Sequence, residues 1–284
     1  MKEIKVLVYG GLGNQLFQAA IAKSLKRKFK NHKLQLLDIS SYAKVKRNWA
    51  LNFLGYEGMK LNILQYFFLI LKIKLNNQFL KYGIANNLFN IVNESTYNKK
   101  FFDKYKNKSF ILDGYWQSEK YFYDIRDEIK LSFLESRKEL CLGKKEYEKV
   151  ALHIRLGDYK DFNISRKNHL VCNFDWYGKA INYLYEKNNN FRFIIFTDDP
   201  DYVRNKFKVN NSVKYYIAEN NKEPHIDMLR MSICDHFIIS NSSYSWWASY
   251  VGENESSYVV APKYWYPKKL TSKLGIYRSN WILL

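Results

Sequence analysis

The chain has 284 residues, of which 47% are hydrophobic and 18% are aromatic, with only four Pro and 12 Gly. This composition is typical of a globular protein with a large core, and it excludes a disordered or fibrous chain. The length favours two domains over one. The net charge of +19 predicts an anionic partner. Nucleic acid, an acidic membrane and nucleotide phosphates all satisfy that charge, so charge alone does not choose among them.

The positive charge is concentrated in the N-terminal part of the chain. Residues 1–100 hold 17 Lys and Arg against four Asp and Glu, a net charge of +13. Three cysteines, Cys141, Cys172 and Cys234, lack disulfide or metal-binding spacing and are predicted to be reduced core thiols. The N-terminus also lacks the long apolar core of a signal peptide. We therefore expect a cytoplasmic protein.

The first residues predict a strand, a glycine turn and a helix. Residues 3–9 are β-type, residues 10–13 read Gly-Gly-Leu-Gly, and residues 14–30 have apolar side chains at helical spacing. The glycines allow a ligand to approach the backbone closely at the helix start. Residues 34–37 predict the next strand.

Residues 61–75 form the most apolar run of the chain. The run contains Lys72 and Lys74 and is shorter than the roughly 20 residues that a membrane-spanning helix needs. We expect a buried helix here. An interfacial helix on a membrane, with flanking lysines, is the alternative.

The second half of the sequence alternates strands with short helices, which predicts a parallel, Rossmann-like sheet. A polar, charged stretch at residues 140–149 places a domain boundary there, giving domains 1–142 and 143–284. After it, strands are predicted at 150–156, 191–197, 213–218, 236–241 and 257–261, with helices at 175–187, 200–207, 225–234 and 243–251.

Polar residues at the end of the strand at 150–156 form the first candidate site. His153 and Arg155 alternate with apolar residues and should share a face, and Gly157 then frees the backbone to turn. Ligands bind at the carboxyl ends of strands in an open parallel sheet, and Arg can grip a phosphate with two hydrogen bonds. Arg155 is therefore a candidate diphosphate ligand. The alternative is a strand end with solvated polar residues.

Two further strand ends carry polar runs. Ser240, Asn241, Ser242 and Ser243 precede a helix, where hydroxyls and free N–H groups favour an anion, although a single Ser would suffice for ordinary capping. At the other end, Thr197 or Asp198 is predicted to cap the helix that begins at Pro200. Asp227 falls in the first turn of the helix at 225–234, where a carboxylate stabilises the dipole.

Taken together, these residues resemble the α-1,2-fucosyltransferases of glycosyltransferase family 11. The resemblance covers nearly the whole chain. It is carried by residues 10–18 (GGLGNQLFQ), 114–122 (GYWQSEKYF), 153–159 (HIRLGDY), 227–229 (DML) and 240–247 (SNSSYSWW).

The resemblance implies a GT-B-like α/β fold, with two Rossmann-like domains facing across a cleft. Domain 1–142 would be the acceptor side and domain 143–284 would bind GDP-fucose. The reaction would invert the anomeric carbon without a metal or other cofactor. The implied acceptor is a terminal galactose-type residue of an oligosaccharide or lipid-linked surface glycan. Apart from the resemblance, the +13 charge of residues 1–100 leads to the hypothesis that this cytoplasmic protein docks peripherally on the anionic inner-membrane surface.

Several residue roles follow from the resemblance. Arg155 matches the arginine on the donor diphosphate, and His153 belongs to the same His-x-Arg pattern. Asp227 would read the guanine. The remaining donor-binding residues implied by the match are Gly11, Gly13, Asn14, Asn241, Ser242 and Ser243.

The general base is not singled out by the sequence. An inverting displacement needs a group that polarises the acceptor hydroxyl, and Asp158, Asp113 and Glu119 are candidates, with Asp158 first because it lies in the His-x-Arg turn. One departure from the family pattern is Leu156, where many relatives carry a second Arg, which leaves more of the charge to Arg155.

Two other hypotheses remain at this point. The first is a GT-B enzyme that uses another nucleotide sugar. The second is a basic nucleic-acid-binding protein, although the sequence contains no recognised nucleic-acid module, and we therefore expect no nucleic-acid partner.

Overall fold

The computed structural model describes residues 1–42, 47–82, 89–94, 101–140, 147–156, 172–266 and 275–284. The chain divides into two compact units, Met1–Arg126 and Asp127–Leu284. Each unit contains a parallel sheet with helices in its connections. Cys141, Gly157 and Asp158 lie outside the described residues, so the structure does not test the predictions for them.

The first unit is built on a parallel sheet with β1 at its centre, in the order β3-β2-β1-β5-β4. Side chains on both faces of β1 are buried, because helices cover both faces of the sheet. Leu7 on one face packs with Leu37 and Ile91 in the cluster that α2 covers. The elements are β1 (Lys2–Val8), α1 (Leu12–Lys28), β2 (His32–Asp38), β3 (Met59–Lys60), α2 (Ile63–Lys81), β4 (Ile91–Val92), α3 (Phe101–Tyr105) and β5 (Phe110–Leu112).

The second unit has the sheet order β11-β10-β9-β6-β7-β8, again with parallel pairs. The predicted alternation of strands and helices is confirmed, with bounds that differ by a few residues. Its elements are α4 (Arg126–Ser136), β6 (Lys149–Ile154), α5 (Phe174–Lys187), β7 (Arg192–Thr197), α6 (Pro200–Lys206), β8 (Tyr215–Ile217), α7 (Pro224–Ser232), β9 (His236–Ile238), α8 (Ser243–Gly252), β10 (Val259–Ala261) and β11 (Ile282–Leu283).

The division between the units falls after Arg126, the first residue of α4, whereas the sequence placed it after this helix, at residue 142. Helix α4 belongs with the second unit because its side chains pack there. The Phe133 ring stacks on Trp247 with centroids 6.2 Å apart, and Lys130 Nζ donates to the Glu253 carbonyl at 2.7 Å. Composition marks a polar linker, but it does not show which sheet a connecting helix packs on.

Helix α2 differs from the buried helix that the sequence predicted. A helix does form, and it begins with a capping box between Asn62 and Gln65. Only one narrow face is buried, however, through Leu69, Ile73 and Asn76. The opposite face exposes large apolar side chains. In the described part of the chain, no helix is long and apolar enough to cross a membrane.

The two described cysteines are consistent with core thiols. Cys172 and Cys234 are both buried. Burial raises the pKa of the Cys172 thiol to about 12, so this group stays protonated and unreactive.

Close contact between α7 and α8 depends on Gly252. A Cβ added to Gly252 would lie 2.5 Å from the Ser232 carbonyl oxygen and 2.7 Å from the Phe237 ring. We expect Gly252→Ala to lower the free energy of unfolding by about 1–3 kcal/mol, because backbone must move to admit the methyl group. Urea denaturation measures this loss.

Gly178→Ala provides the matched control for that substitution. Gly178 lies inside α5, and a Cβ there meets no atom within 4 Å. Alanine should therefore raise stability by about 0.5–1 kcal/mol through helix propensity. Equal effects of the two substitutions would contradict the steric argument.

Candidate functional site

The strand order of the second sheet reverses at β6. Strands β6, β7 and β8 follow each other outward, and β9 then pairs with the other side of β6. In open parallel sheets, ligands bind at the carboxyl ends of the strands where the order reverses. Arg155 follows β6, Asp198 follows β7, and Ser240 lies just beyond the end of β9. The polar motifs predicted from sequence therefore lie at one edge of the sheet.

His153 and Ser240 join the two strands on either side of this reversal. The Nδ1 atom of His153 lies 2.9 Å from Ser240 Oγ, and both residues are buried. Burial, with the nearby charge of Arg155, lowers the pKa of His153 to about 3. The imidazole is therefore neutral at physiological pH. Its contribution is a fixed hydrogen-bonding group rather than a positive charge.

Arg155 lies at the same end of the sheet, and its side chain is partly exposed to solvent. One guanidinium nitrogen is 3.9 Å from the Asp198 carboxylate, and each side chain is about one third exposed, at 35% and 34%. The other Asp198 oxygen accepts the Leu156 N–H at 2.8 Å. Asp198 thus orients the turn that carries Arg155, while the guanidinium keeps contact with solvent.

Asp199, not Thr197 or Asp198, caps the helix that starts at Pro200. The Asp199 carboxylate accepts the Tyr202 N–H at 3.2 Å, and Thr197 Oγ1 in turn accepts the Asp199 N–H at 3.3 Å. The prediction that Thr197 or Asp198 caps this helix was therefore wrong. Because Asp199 is the cap, the Asp198 carboxylate can instead accept the Leu156 N–H in the turn that carries Arg155.

The N-terminus of α8 faces the same edge of the sheet. Ser242 is its N-cap, and its hydroxyl accepts the Tyr244 N–H at 3.3 Å. The first turn holds no acidic residue, so the positive end of the helix dipole is not neutralised within the helix. Ser243 is the first helical residue and is partly exposed. Asn241 donates its side-chain amide to the Trp265 carbonyl at 3.3 Å, which anchors the loop.

Tyr244 is a site residue that the motif analysis did not single out. Its hydroxyl donates to the Pro224 carbonyl at 2.5 Å, which ties the start of α8 to the start of α7. Burial raises the pKa of Tyr244; Asp227 acts in the same direction, whereas Arg155 and Arg230 oppose it. The phenol therefore lies within electrostatic reach of all three charged groups. Its position inside the Ser-Ser-Tyr-Ser run is the sequence feature that could have identified it.

Asp227 sits in the first turn of α7, as predicted, and its carboxylate has two protein contacts. One oxygen accepts the Asn221 N–H at 2.9 Å, and the other lies 2.9 Å from Arg230. Arg230 also donates to the Glu219 carbonyl at 3.0 Å. Asp227 thereby fixes the preceding loop. A carboxylate has about four acceptor positions, so these contacts do not exhaust it.

The glycine turn of the first unit leaves the start of α1 open. Gly10 has φ of +85°, which favours glycine, and Gly11 is the N-cap without a side-chain cap. A Cβ at Gly11 would meet no atom within 4 Å. Gly13 is buried in the first turn. The Asn14 side-chain oxygen Oδ1 accepts a hydrogen bond from the Gln117 side-chain amide at 2.8 Å, which joins two of the sequence motifs.

Two fully buried glutamines support this turn, and sequence reasoning did not identify them. Gln18 accepts the Tyr9 N–H at 3.0 Å and donates to the Gly114 carbonyl at 3.1 Å. Gln15 donates to the Gly10 carbonyl at 2.9 Å. Both amides satisfy backbone groups of the loops that carry the motifs. The sequence feature that could have identified them is that the two polar residues lie three positions apart on the apolar side of a predicted helix.

Two of the three candidate bases lie in the described residues. Asp113 accepts the Tyr9 hydroxyl at 3.2 Å, and burial raises the pKa of its carboxyl. Glu119 lies in the short 3₁₀ turn Glu119–Tyr121. A buried carboxylate with a raised pKa is a better proton acceptor when it is ionised, and this property favours Asp113 as a general base.

Trp116, beside Asp113, has a strained backbone. Its φ is +58°, a conformation that is uncommon for residues other than glycine. The backbone N–H donates to Glu94 at 2.6 Å, and the side chain is fully buried. Strain of this kind persists only where surrounding contacts hold it.

The sequence model of Glycosyl transferase family 11 matches residues 57–284. The chain belongs to glycosyltransferase family 11. It is 32% identical to the O-antigen biosynthesis glycosyltransferase WbnK of Escherichia coli, over 97% of this chain and 98% of that protein. It is 30% identical to an alpha-1,2-colitosyltransferase of Escherichia coli, over 96% of each chain. Both alignments include the N-terminal part of the chain that precedes the family match.

The fold of this family 11 glycosyltransferase agrees with the GT-B prediction. A GDP complex of a mutant Arabidopsis thaliana FUT1 matches it with a TM-score of 0.50 at 12% identity, over 93% of this chain and 71% of that one. This likeness, together with the two parallel-sheet units, confirms the GT-B-like class.

The neutral state of His153 has a measurable consequence for stability. Its folded pKa of about 3 lies below the ordinary value of 6.5, so the unfolded chain binds the extra proton between these limits. The contribution of His153 to the free energy of unfolding should therefore fall as the pH drops below about 6.5, by about 2 kcal/mol between about pH 7 and about pH 5.

His153→Asn removes the titrating group and keeps a hydrogen-bonding side chain near Ser240. Urea titrations of both proteins at the two pH values should show a flatter pH dependence for the variant. Parallel pH profiles would mean that His153 is not held neutral by the fold.

Proposed function

We propose that this glycosyltransferase moves L-fucose from GDP-fucose, with inversion, to the 2-hydroxyl of a terminal galactose-type residue on an O-antigen-type glycan. The observation that carries the proposal is that Arg155 and the N-terminus of α8, whose first turn has no acidic residue, both lie where the strand order reverses at β6. The names of the two relatives support an O-antigen glycan as product and the transfer of a deoxy sugar through a 1,2 linkage.

Departure of the nucleotide is the step that this edge of the sheet would assist. Negative charge grows on the diphosphate as the bond to the sugar breaks, and fixed donors that face this charge stabilise the transition state. Arg155 would supply two parallel hydrogen bonds, and the first N–H groups of α8 would supply the helix dipole. On this proposal no metal is needed.

His153 would act in this mechanism as a positioning group. Its ring lies against Tyr244 with centroids 5.5 Å apart, and Nδ1 is engaged by Ser240. A neutral ring held in this way fixes the spacing between the Arg155 turn and α8 without repelling the guanidinium. The same neutral ring would also avoid attracting a second anion.

Asp227 is the proposed guanine ligand. Guanine presents two N–H donors on one edge, and a carboxylate can accept both. The link between Tyr244 and Pro224 sets the start of α7, which carries Asp227, beside the start of α8. This arrangement supports base and phosphate recognition by neighbouring helix starts.

Activation of the acceptor hydroxyl would use a carboxylate as general base. Asp113, with its raised pKa and its contact to Tyr9, is one proposed base. Asp158 remains the other, because it follows directly in the His-x-Arg turn.

Transfer of colitose instead of fucose is the second candidate function. The relative named alpha-1,2-colitosyltransferase favours it. Colitose is fucose without the 3-hydroxyl, so the two donors would make the same diphosphate and guanine contacts. Only contacts to the sugar ring would distinguish them.

A donor and acceptor panel tests the function directly. GDP-fucose, GDP-colitose, UDP-galactose and ADP-heptose would each be offered with galactose-terminated oligosaccharides, and products would be read by mass spectrometry with linkage analysis. A 1,2-linked fucosyl product supports the proposal. A 1,2-linked colitosyl product alone would favour the second candidate, and transfer only from UDP or ADP sugars would contradict both.

Arg155→Ala should lower turnover on the order of a hundredfold, because it removes a main donor to the leaving diphosphate. Arg204→Ala is the control, since Arg204 forms an exposed ion pair with Asp201 on α6 and should leave turnover unchanged. Steady-state kinetics of both variants, with circular dichroism to verify folding, measure the difference. A near wild-type rate for Arg155→Ala would place the diphosphate elsewhere.

Asp227→Asn should weaken GDP binding by roughly tenfold, because an amide cannot accept both guanine donors. The variant should also lose the preference of the wild type for GDP over inosine diphosphate, which lacks the 2-amino group. Isothermal titration calorimetry gives both affinities.

Asp201→Asn is the matched control for Asp227→Asn. The Asp201–Arg204 pair has the same i, i+3 geometry on a helix as Asp227–Arg230. Its loss should not affect either nucleotide. An unchanged preference for GDP in Asp227→Asn would limit that residue to fixing the loop.

A further inference from the structure

The first half of α2 carries a continuous apolar surface that the fold does not use. The exposed fractions are 69% for Ile63, 66% for Leu64, 60% for Phe67, 59% for Phe68 and 40% for Leu71. At helical spacing these five side chains share one face. The rings of Phe67 and Phe68 contact each other edge to face, with centroids 5.9 Å apart. Monomeric proteins rarely expose a cluster of this kind without a binding role.

The opposite face fixes α2 to the first unit, so the exposed side chains have a rigid support. Leu69 and Ile73 pack into the cluster with Leu7 and Leu37. Buried Asn76 accepts the Phe89 N–H at 3.4 Å. The apolar surface therefore projects from an anchored helix rather than from a loose segment.

Positive charge borders this apolar surface. Lys60 precedes the helix, Lys72 and Lys74 follow Leu71, and Lys81 is the last helical residue; all four are exposed. Residues 59–82 contain no Asp or Glu. Apolar side chains bordered by lysines match the two layers of an anionic bilayer surface, where acyl chains lie beneath acidic headgroups.

We propose that α2 docks the protein on an anionic membrane surface, with the five apolar side chains inserted at the headgroup boundary and the lysines on the acidic headgroups. The charge pattern selects this partner over a second copy of the chain, because two such surfaces would bring like charges together. The helix lies along the membrane rather than across it, since Lys72 and Lys74 interrupt the apolar run.

Docking would place the enzyme where lipid-linked glycans are found, and this consequence rests on the proposed function. The binding itself does not, because it can be measured without donor or acceptor. Failure of vesicle binding and failure of fucosyl transfer are therefore separate results.

Co-sedimentation with vesicles tests the proposal. The full chain should bind phosphatidylglycerol-containing vesicles and bind phosphatidylcholine vesicles weakly. Phe67→Ser with Phe68→Ser should lower the partition coefficient roughly tenfold or more, because two inserted rings are lost. Lys72→Gln with Lys74→Gln should lower it roughly tenfold on anionic vesicles only.

Two double variants are the matched controls. Leu131→Ser with Leu134→Ser removes exposed apolar side chains from α4. Lys106→Gln with Lys108→Gln removes exposed charge from the same unit as α2. Both should bind vesicles as the wild type does.

Three outcomes would overturn the proposal. The first is that the wild type binds vesicles and the α2 variants bind them equally well, and the second is that the wild type does not bind vesicles at all. The third is an α2 variant that converts a dimer into a monomer in light scattering while vesicle binding stays unchanged, which would make the surface an interface between copies.

Discussion

The pairing of β9 with the far side of β6 is the constraint on which the rest of the site depends. It brings the ends of two strands that are distant in sequence next to each other, at the position where ligands bind in open parallel sheets. The hydrogen bond between His153 and Ser240 links these two strand ends. Because the imidazole is neutral, this contact holds the strand ends together without burying a charge.

Near these strand ends, the charged side chains are arranged in compensating pairs. Arg155 faces Asp198, and Asp227 faces Arg230. The pairs orient loops, but their formal charges cancel. On the proposed function, attraction for a diphosphate would come from the exposed side of the Arg155 guanidinium and from the first N–H groups of α8 that the Ser242 side chain does not cap.

The first unit uses neutral groups for a similar purpose. Buried Gln15 and Gln18 hold the glycine turn through backbone hydrogen bonds. Asn14 is fixed by Gln117. A glycine turn held by amides presents backbone N–H groups and leaves open space at Gly11, so the start of α1 is shaped for close approach of a polar ligand.

Periodicity in the sequence predicted much of this fold. Long strands such as β6 and β7 alternate or run apolar over six residues, and the helices between them have distinct apolar faces, so their positions could be predicted. Strands β3, β4 and β11 have two residues each and carry no periodic signal. Their positions follow from pairing with β2, β5 and β10, which is information that is not local.

The site itself was partly predictable for the same reason. Arg155, His153 and the serine run could be found because polar residues stand out where apolar strands end. The engagement of Asp198 with Leu156, and the link from Tyr244 to Pro224, depend on contacts between distant segments. For α2, an apolar residue pattern on nearly every side predicted a helix but not which face the sheet would cover.

An experimental structure of the protein bound to GDP would test the central claim most directly. The account predicts that both phosphates contact the Arg155 guanidinium and the N–H groups at the start of α8, near Ser242 and Ser243. Phosphates bound elsewhere, with Arg155 still paired only to Asp198, would contradict it.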